Sequence, residues 1–264
     1  MKYIPLSCVQ RYDARCSAVF LEKCKILKSN NSLIAESLEG RSIINYGLVS
    51  CVILGRGTSI THDALELMAS TNTSCVIASG ECKSVQMLSL SPTQSTKYIY
   101  KQIEILSNEP RRNETIRKLL SYRFGTPTTY DVYQSLGSEG YFMRKLYTEF
   151  SEKYGIPWTG RDYKASEGIN ARLNLLNSCL YGITTAVIHG IGMSPYIGLI
   201  HQGSPLPFVY DLSDCVKKDL VIDTAFSSEK SGTNTREMVD EFILKCNKIR
   251  VTSVLSNIAL GLFA

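Results

Sequence analysis

No Cys-x-x-Cys pair occurs in this chain although it holds nine cysteines, and that absence excludes a zinc ribbon or a thioredoxin-type redox motif. The cysteines are odd in number and scattered singly through apolar stretches, so a disulfide framework does not fit either. They read as small buried hydrophobes in a reducing compartment. No run approaches the ~18 apolar residues that a membrane-spanning helix needs. The opening residues MKYIPLSCVQRYDARC lack the apolar centre of a signal peptide, and the expectation is a cytoplasmic protein with no membrane partner. Missing too are Gly-x-x-x-x-Gly-Lys-Ser/Thr, a Gly-x-Gly-x-x-Gly after a strand, Gly-x-Ser-x-Gly and His-Glu-x-x-His, which removes the common phosphate-loop, dinucleotide, serine-hydrolase and zincin templates. Of the three histidines, His62 and His189 have no local partner for Cys/His nucleophilic catalysis.

What is present is enough to bury a sizeable core: 264 residues, 44% of them hydrophobic. The net charge of +5 is compatible with a polyanionic partner without requiring one. Across residues 18–86, short apolar runs such as SLIAES and SCVIASG alternate with turn signals and predict strands. Residues 59–71 break that rule, with Ile60, Ala64, Leu67 and Met68 at helical spacing and Thr61 as N-cap. The polar stretch SLSPTQST at 89–96 predicts a linker. Beyond it, residues 98–106, 113–122, 130–154 and 168–191 carry apolar side chains at i, i+3, i+4 and i+7. The fold class expected is therefore α+β: a β-rich, sandwich-like N-terminal domain over 1–88, a linker over 89–96, and an all-α catalytic domain over 97–264. The apolar end of the chain predicts a last helix docked on the core.

Four acids and imidazoles in the helical part are candidates for chemistry. Glu139 lies between Gly137 and Gly140 inside a helical segment, where each glycine costs about 1 kcal/mol relative to alanine; taken alone, it also reads as a solvated glutamate. His201 precedes a Pro205/Pro207 loop that leads into a helix burying Phe208, Leu212 and Cys215. Asp211 and Asp214 then fall one turn apart on a neighbouring face. Two such carboxylates call for a cation, which either Lys217 and Lys218 or a divalent metal could supply. One imidazole among carboxylates favours Mg²⁺ or Mn²⁺ over zinc. Arg111, Arg112, Arg117, Lys118 and Arg123 crowd one stretch, and Arg161 and Tyr163 sit in GIPWTGRDY. Arginines mixed with Tyr181, Tyr196 and Tyr210 suit phosphate contacts and base stacking, although charged clusters on helices are also common as plain solvated faces.

The blocks LSYRFGTP, GSEG, YGIPWTGRDY and SCLYGITTAVIHGIGMSPYIGLIHQGSPLPFVYDLSD, with the opening KYIPL, together resemble the integrase family of CRISPR spacer acquisition, in its type I-E form. The resemblance covers nearly the whole chain. It implies Glu139, His201 and Asp214 as ligands of Mg²⁺ or Mn²⁺, with Asp211 and Tyr210 supporting the site. Arg112, Arg117, Arg123, Arg161, Tyr163, Tyr181, Tyr210 and Lys217 are the residues expected near DNA. It further implies a homodimer through the N-terminal β domains, and a working complex with a small companion protein of the adaptation module. The implied substrates are double-stranded: a prespacer whose 3′-hydroxyl attacks a phosphodiester of the CRISPR repeat.

Some positions depart from that pattern. Lys23 stands where type I-E relatives place an aromatic wedge in the first strand, Ser59 and Glu66 replace two basic residues, and the basic or proline-rich tail of those relatives is not expected here. Two other readings follow from these differences: a catalytically weak DNA-binding assembly subunit of the same complex, or a stand-alone metal-dependent DNA nuclease in which water is the nucleophile.

Overall fold

The computed structural model describes residues 15–30, 32–71, 73–77, 86–88, 95–125 and 132–264, with positions 46, 86–88 and 132–139 described in backbone only. Cys8, Cys82, residues 2–6 and residues 89–94 of the expected linker lie outside the described residues.

The N-terminal part contains eight described strands, β1 (Val19–Leu21), β2 (Lys25–Ser29), β3 (Ser32–Ser37), β4 (Gly40–Ile44), β5 (Cys51–Leu54), β6 (Ser59–Ile60), β7 (Ser74–Ile77) and β8 (Gln86–Leu88). One described α-helix, α1 (His62–Ser70), has Thr61 as its N-cap as the spacing predicts, whereas Ser59 and Ile60, read with that helix, form β6 instead. The strands form two sheets, ordered β1-β5-β7-β8 and β4-β3-β2-β6. In the second sheet, β2–β3 and β3–β4 are antiparallel hairpins. In the first, β1, β5 and β7 run parallel, and β6 with α1 forms the crossover between β5 and β7.

That parallel arrangement explains the unalternating run CVIL, whose four residues are all buried. A strand covered on both faces has no polar side to show. Val52, Leu54 and Cys75 point into one core with Ile26, Leu33, Ala35 and Ile44 of the other sheet and Ala64, Leu67 and Met68 of α1. Cys51, Ile53 and Val76 point the other way, into the core of the helical part. Cys24, Cys51, Cys75, Cys179 and Cys246 are buried, and burial raises the thiol pKa of Cys75 to about 11.

The helical part comprises α2 (Lys97–Leu106), α3 (Glu109–Phe124), α4 (Val132–Tyr154), α5 (Gly168–Gly190), α6 (Pro207–Ser213), α7 (Asp223–Ser231), α8 (Thr235–Lys248) and α9 (Val251–Leu262), with a π-helical stretch Lys218–Ile222 leading into α7. The central helix is α5, buried from Leu173 to Ile188 except at Tyr181. The last helix docks as expected, with Leu255, Ala259, Leu262 and Phe263 enclosed. Among the described residues, no helix is long and apolar enough to cross a membrane.

Two further details differ from expectation. Lys23 is not in the first strand but in the turn after it, at φ +49°, where its N–H donates to the Arg56 carbonyl at 3.0 Å. Through Gly137 and Gly140, α4 stays helical, and a Cβ at Gly140 would meet nothing nearer than the Arg144 guanidinium at 3.9 Å. Among the described residues, no close protein approach demands that glycine.

The two residues before the first strand are tied to the helical part by the amide of Asn247, beside a contact of Ser17 Oγ with Thr252. Asn247 Oδ1 accepts from the N–H groups of Ser17 and Ala18 at 3.0 and 3.2 Å, and its Nδ2 donates to the Ala18 carbonyl at 3.1 Å. All three backbone groups lie at buried residues, where an unpaired polar group costs about 1–3 kcal/mol. Asn247→Ala is expected to lower unfolding free energy by about 2 kcal/mol in urea melts; a change below ~0.5 kcal/mol would show that water replaces the amide.

Candidate active site

The site is assembled where the irregular segment after α5 meets α6. Residues 192–206 contain no regular element, so their backbone polar groups need partners from elsewhere. Asp211 serves three of these groups. Its side chain is fully buried, and it accepts from the N–H groups of Leu199 at 2.6 Å, Ile200 at 3.2 Å and His201 at 3.2 Å. The same carboxylate lies 2.7 Å from His201 Nδ1. A carboxylate only accepts, so Nδ1 carries the proton, and in the neutral ring the lone pair is on Nε2, facing away from Asp211.

Nε2 faces Asp214, whose Oδ2 is 3.8 Å away. Pro207 starts α6 and Asp214 caps its end, which puts the two aspartates one turn apart with different surroundings. Asp214 pairs with Lys217 Nζ at 3.3 Å and with the Arg123 guanidinium at 3.3 Å. Burial pushes its carboxyl pKa up, yet Lys217, Arg123 and His201 hold it below the usual aspartate value. Burial likewise opposes the Lys217 ammonium, and Asp214 with Tyr181 more than offsets it, leaving that pKa raised. The expected sharing of cations by the two aspartates is thus replaced by a division of labour. Asp211 is satisfied by backbone, Asp214 by side-chain cations, and Lys218 is exposed.

These groups open on a cavity of about 530 Å³. Arg161, Tyr163, Tyr181, His201, Tyr210, Asp214 and Lys217, all singled out in the sequence, line it. The rings of Tyr181 and Tyr210 lie 5.0 Å apart, and Tyr210 meets the His201 ring edge-on at 5.9 Å. Arg161 lies over Tyr163 at 4.7 Å and is held by Asn170 Oδ1 at 2.8 Å and Asn174 Oδ1 at 2.6 Å. Of the α3 arginines expected near DNA, Arg117 is exposed. Arg112 and Arg123 instead turn inward, Arg112 donating to the Leu199 carbonyl at 3.1 Å and Arg123 to the Asp214 pair. Glu139 lies in α4, described there in backbone only.

Sequence reasoning missed Tyr147, Asn174, Asn177 and Ser178 in the cavity wall. For Asn174, Asn177 and Ser178, polar residues within the buried span of α5 break its apolar pattern, and that interruption was the available signal. Asn177 donates to the Leu173 carbonyl at 2.6 Å, while its Oδ1 is buried with no hydrogen-bond partner among the described residues. A separate trio, His62, Asp63 and Glu66 on α1, has ligand atoms within 4.8 Å of one another. His62 and Asp63 are exposed there, as solvated acidic groups commonly are.

The grip of Asp211 on three N–H groups and an imidazole is expected to matter for the fold as well as the site. Asp211→Ala should lower unfolding free energy by about 2–4 kcal/mol, because bonds to a buried charge contribute about 1.5–3 kcal/mol each and are partly recovered by water. Chemical denaturation measures it, and a loss under ~1 kcal/mol would show that the segment holds itself.

Comparison with known proteins finds relatives of this chain. The family model for CRISPR associated protein Cas1 matches residues 113–247. The CRISPR-associated endonuclease Cas1 of Escherichia coli (strain K12) is 34% identical over 259 residues, covering 94% of this chain and 83% of that protein. CRISPR-associated endonuclease Cas1 2 of Chlorobaculum tepidum is 36% identical over 187 residues, 68% of this chain, and the match spans 63% of the length of that relative. A crystal structure of a TtCas1–DNA complex superposes with a TM-score of 0.83 at 27% identity, covering 92% of this chain and 90% of that one. With a β-rich N-terminal part, a helical C-terminal part and this extent of identity, the chain belongs to the CRISPR-associated Cas1 family.

Proposed function

We propose that this protein is a metal-dependent DNA integrase of CRISPR adaptation, joining a prespacer 3′-hydroxyl to a phosphodiester of the CRISPR repeat by transesterification. The observation that carries the reading is the bond between His201 Nδ1 and Asp211, which leaves Nε2 as a lone-pair donor beside the Asp214 carboxylate. Two ligands of one divalent ion at about 2.0–2.1 Å and a right angle are about 3 Å apart, so the 3.8 Å separation of Nε2 and Oδ2 needs only a small contraction. Glu139, His201 and Asp214 would hold the ion, and one imidazole with carboxylates suits Mg²⁺ or Mn²⁺. When bound, such an ion polarises a phosphoryl oxygen and favours the ionised form of the attacking hydroxyl.

The remaining roles belong to the chain. Asp211 fixes the His201 tautomer and the direction of its ring. Lys217, whose ammonium is retained by Asp214, places positive charge where a phosphate would enter. Tyr163, Tyr181 and Tyr210 offer aromatic faces for unstacked nucleotides, and Arg161 stands at the same wall. Transesterification exchanges one phosphodiester for another, so the reaction needs no nucleotide triphosphate. Water in place of the 3′-hydroxyl would make the same centre a nuclease, in keeping with the endonuclease names of the relatives.

The domain assignment belongs to the same reading: residues 1–88 as the dimerisation unit, 89–96 as the linker and 97–264 as the catalytic part. The partners are a second copy of this chain, prespacer and repeat DNA, and the small companion protein of the adaptation module.

Each of Glu139→Ala, His201→Ala and Asp214→Ala is expected to abolish integration of a 3′-hydroxyl duplex into a supercoiled repeat-bearing plasmid, with the companion and Mn²⁺ present, while circular dichroism stays native. Near-normal integration by His201→Ala would overturn the assignment. DNA binding should weaken steeply with salt, by a log–log slope of about 0.9 for each duplex phosphate neutralised. Arg117→Ala and Arg161→Ala should each flatten that slope by about one unit; unchanged slopes in both would place the DNA elsewhere.

A further inference from the structure

Gln102 is the one residue of α2 that is wholly enclosed, with no exposed surface, and it lies 92 and 95 positions from its two partners. Its Nε2 donates to the carbonyls of Ser194 and Ile197, both at 3.0 Å, and its Oε1 accepts from the Ser194 N–H at 2.8 Å. Both amide hydrogens and the amide oxygen are therefore spent on one short stretch of backbone. A buried glutamine is costly unless it is satisfied in this way, and an apolar residue would fill the same volume at no desolvation cost. The polar side chain has its use in the segment it holds.

That segment leads directly to His201. Arg112, from α3, donates to the Leu199 carbonyl at 3.1 Å, two residues before the imidazole, and Asp211 takes the N–H groups of Leu199, Ile200 and His201. Gly198 is packed so closely on the start of α6 that a Cβ there would lie 2.5 Å from Pro207. The backbone of residues 194–201 is thus pinned from three directions: by α2 through Gln102, by α3 through Arg112, and by α6 through Asp211. Asp211, on the helix that Asp214 caps, orients the imidazole ring and anchors the segment at residues 199–201 only. The α2 and α3 contacts hold the stretch from Ser194 to Leu199 that leads into it.

We infer that Gln102 is a positioning residue, with Arg112 as its partner, holding His201 at the distance from Asp214 that a shared ion requires. The inference rests on the metal-site reading above for its consequence, but not for its geometry. Loss of either clamp leaves residues 199–201 held by Asp211 alone among these three contacts, so the segment loosens and the imidazole is held less firmly relative to Asp214, and metal affinity falls although every ligand is retained.

The test uses full-length protein carrying Gln102→Leu, Arg112→Met or Arg112→Lys, with His201→Ala as reference. In metal-free protein, the His201 ring resonances are followed by NMR; Mn²⁺ binding is then measured by calorimetry. Gln102→Leu and Arg112→Met should each shift or broaden the His201 ring signals and weaken Mn²⁺ binding by about tenfold, the lower end of what ligand-orienting partners contribute. Arg112→Lys keeps a donor for the Leu199 carbonyl and should recover most of that loss. Should Gln102→Leu fail to fold, the Arg112 pair decides the question. Unchanged His201 signals and Mn²⁺ affinity in the folded variants, whatever their melting temperature, would reduce these residues to packing and overturn the inference. Undiminished Mn²⁺ binding by His201→Ala would instead sink the metal-site reading, and the ring signals would still report on the clamp.

Discussion

The carboxylate of Asp211 is the constraint on which the rest of the site depends. A loop of some fifteen residues with no regular hydrogen bonding has to be held against a helical core, and its peptide groups cannot be left unpaired. One buried anion satisfies three consecutive N–H groups and a ring nitrogen of that loop at once. In a low-dielectric interior such bonds are strong, and they are costly to leave unmade. The same contacts that order the backbone choose the tautomer of His201, so folding of the loop and preparation of the imidazole are one event.

Asp214, three residues further along, has the opposite surroundings. Its neighbours are two cations and an imidazole, which together outweigh the burial of its charge. A carboxylate kept ionised in this manner is ready for a cation or for phosphate chemistry nearby, whereas Asp211 is fully committed to structure. The turn between them matters: at i and i+3 the two side chains diverge enough for one to face the loop and the other the cavity. The π-helical stretch that follows lies just beyond Lys217, and such widened turns recur at functional sites.

Packing reaches from this centre into the N-terminal part. The sheet containing β5 is buried on both sides, contributing Val52 and Leu54 to one core and Cys51 and Ile53 to the other. Asn247 adds directional bonds to that contact. A mutation in β5 would therefore be felt in both cores, because close-packed interiors transmit changes of even one methylene.

Much of the helical part was legible in advance because helix formation is written in local spacing: the segments read at 98–106, 113–122, 130–154 and 168–191 correspond closely to α2, α3, α4 and α5, and Thr61 marks the start of α1. The strands were legible as strands, but not their parallel order, since pairing partners such as Val52 and Cys75 are chosen by long-range burial and not by their neighbours in sequence. For the site, residue identities alone pointed to His201, Asp211, Asp214, Arg161, Tyr163, Tyr181, Tyr210 and Lys217, and they do line or support one cavity. What those residues do to one another was decided only by tertiary structure. Spacing alone could not show that Asp211 serves backbone while Asp214 faces cations, that Arg112 and Arg123 turn inward, or that a glutamine in α2 holds the loop before His201. The physical reason is that a hydrogen bond spanning 92 positions leaves no periodic trace in the chain: it exists because packing brings two helices and a loop together, and only then does a buried polar side chain acquire its partner.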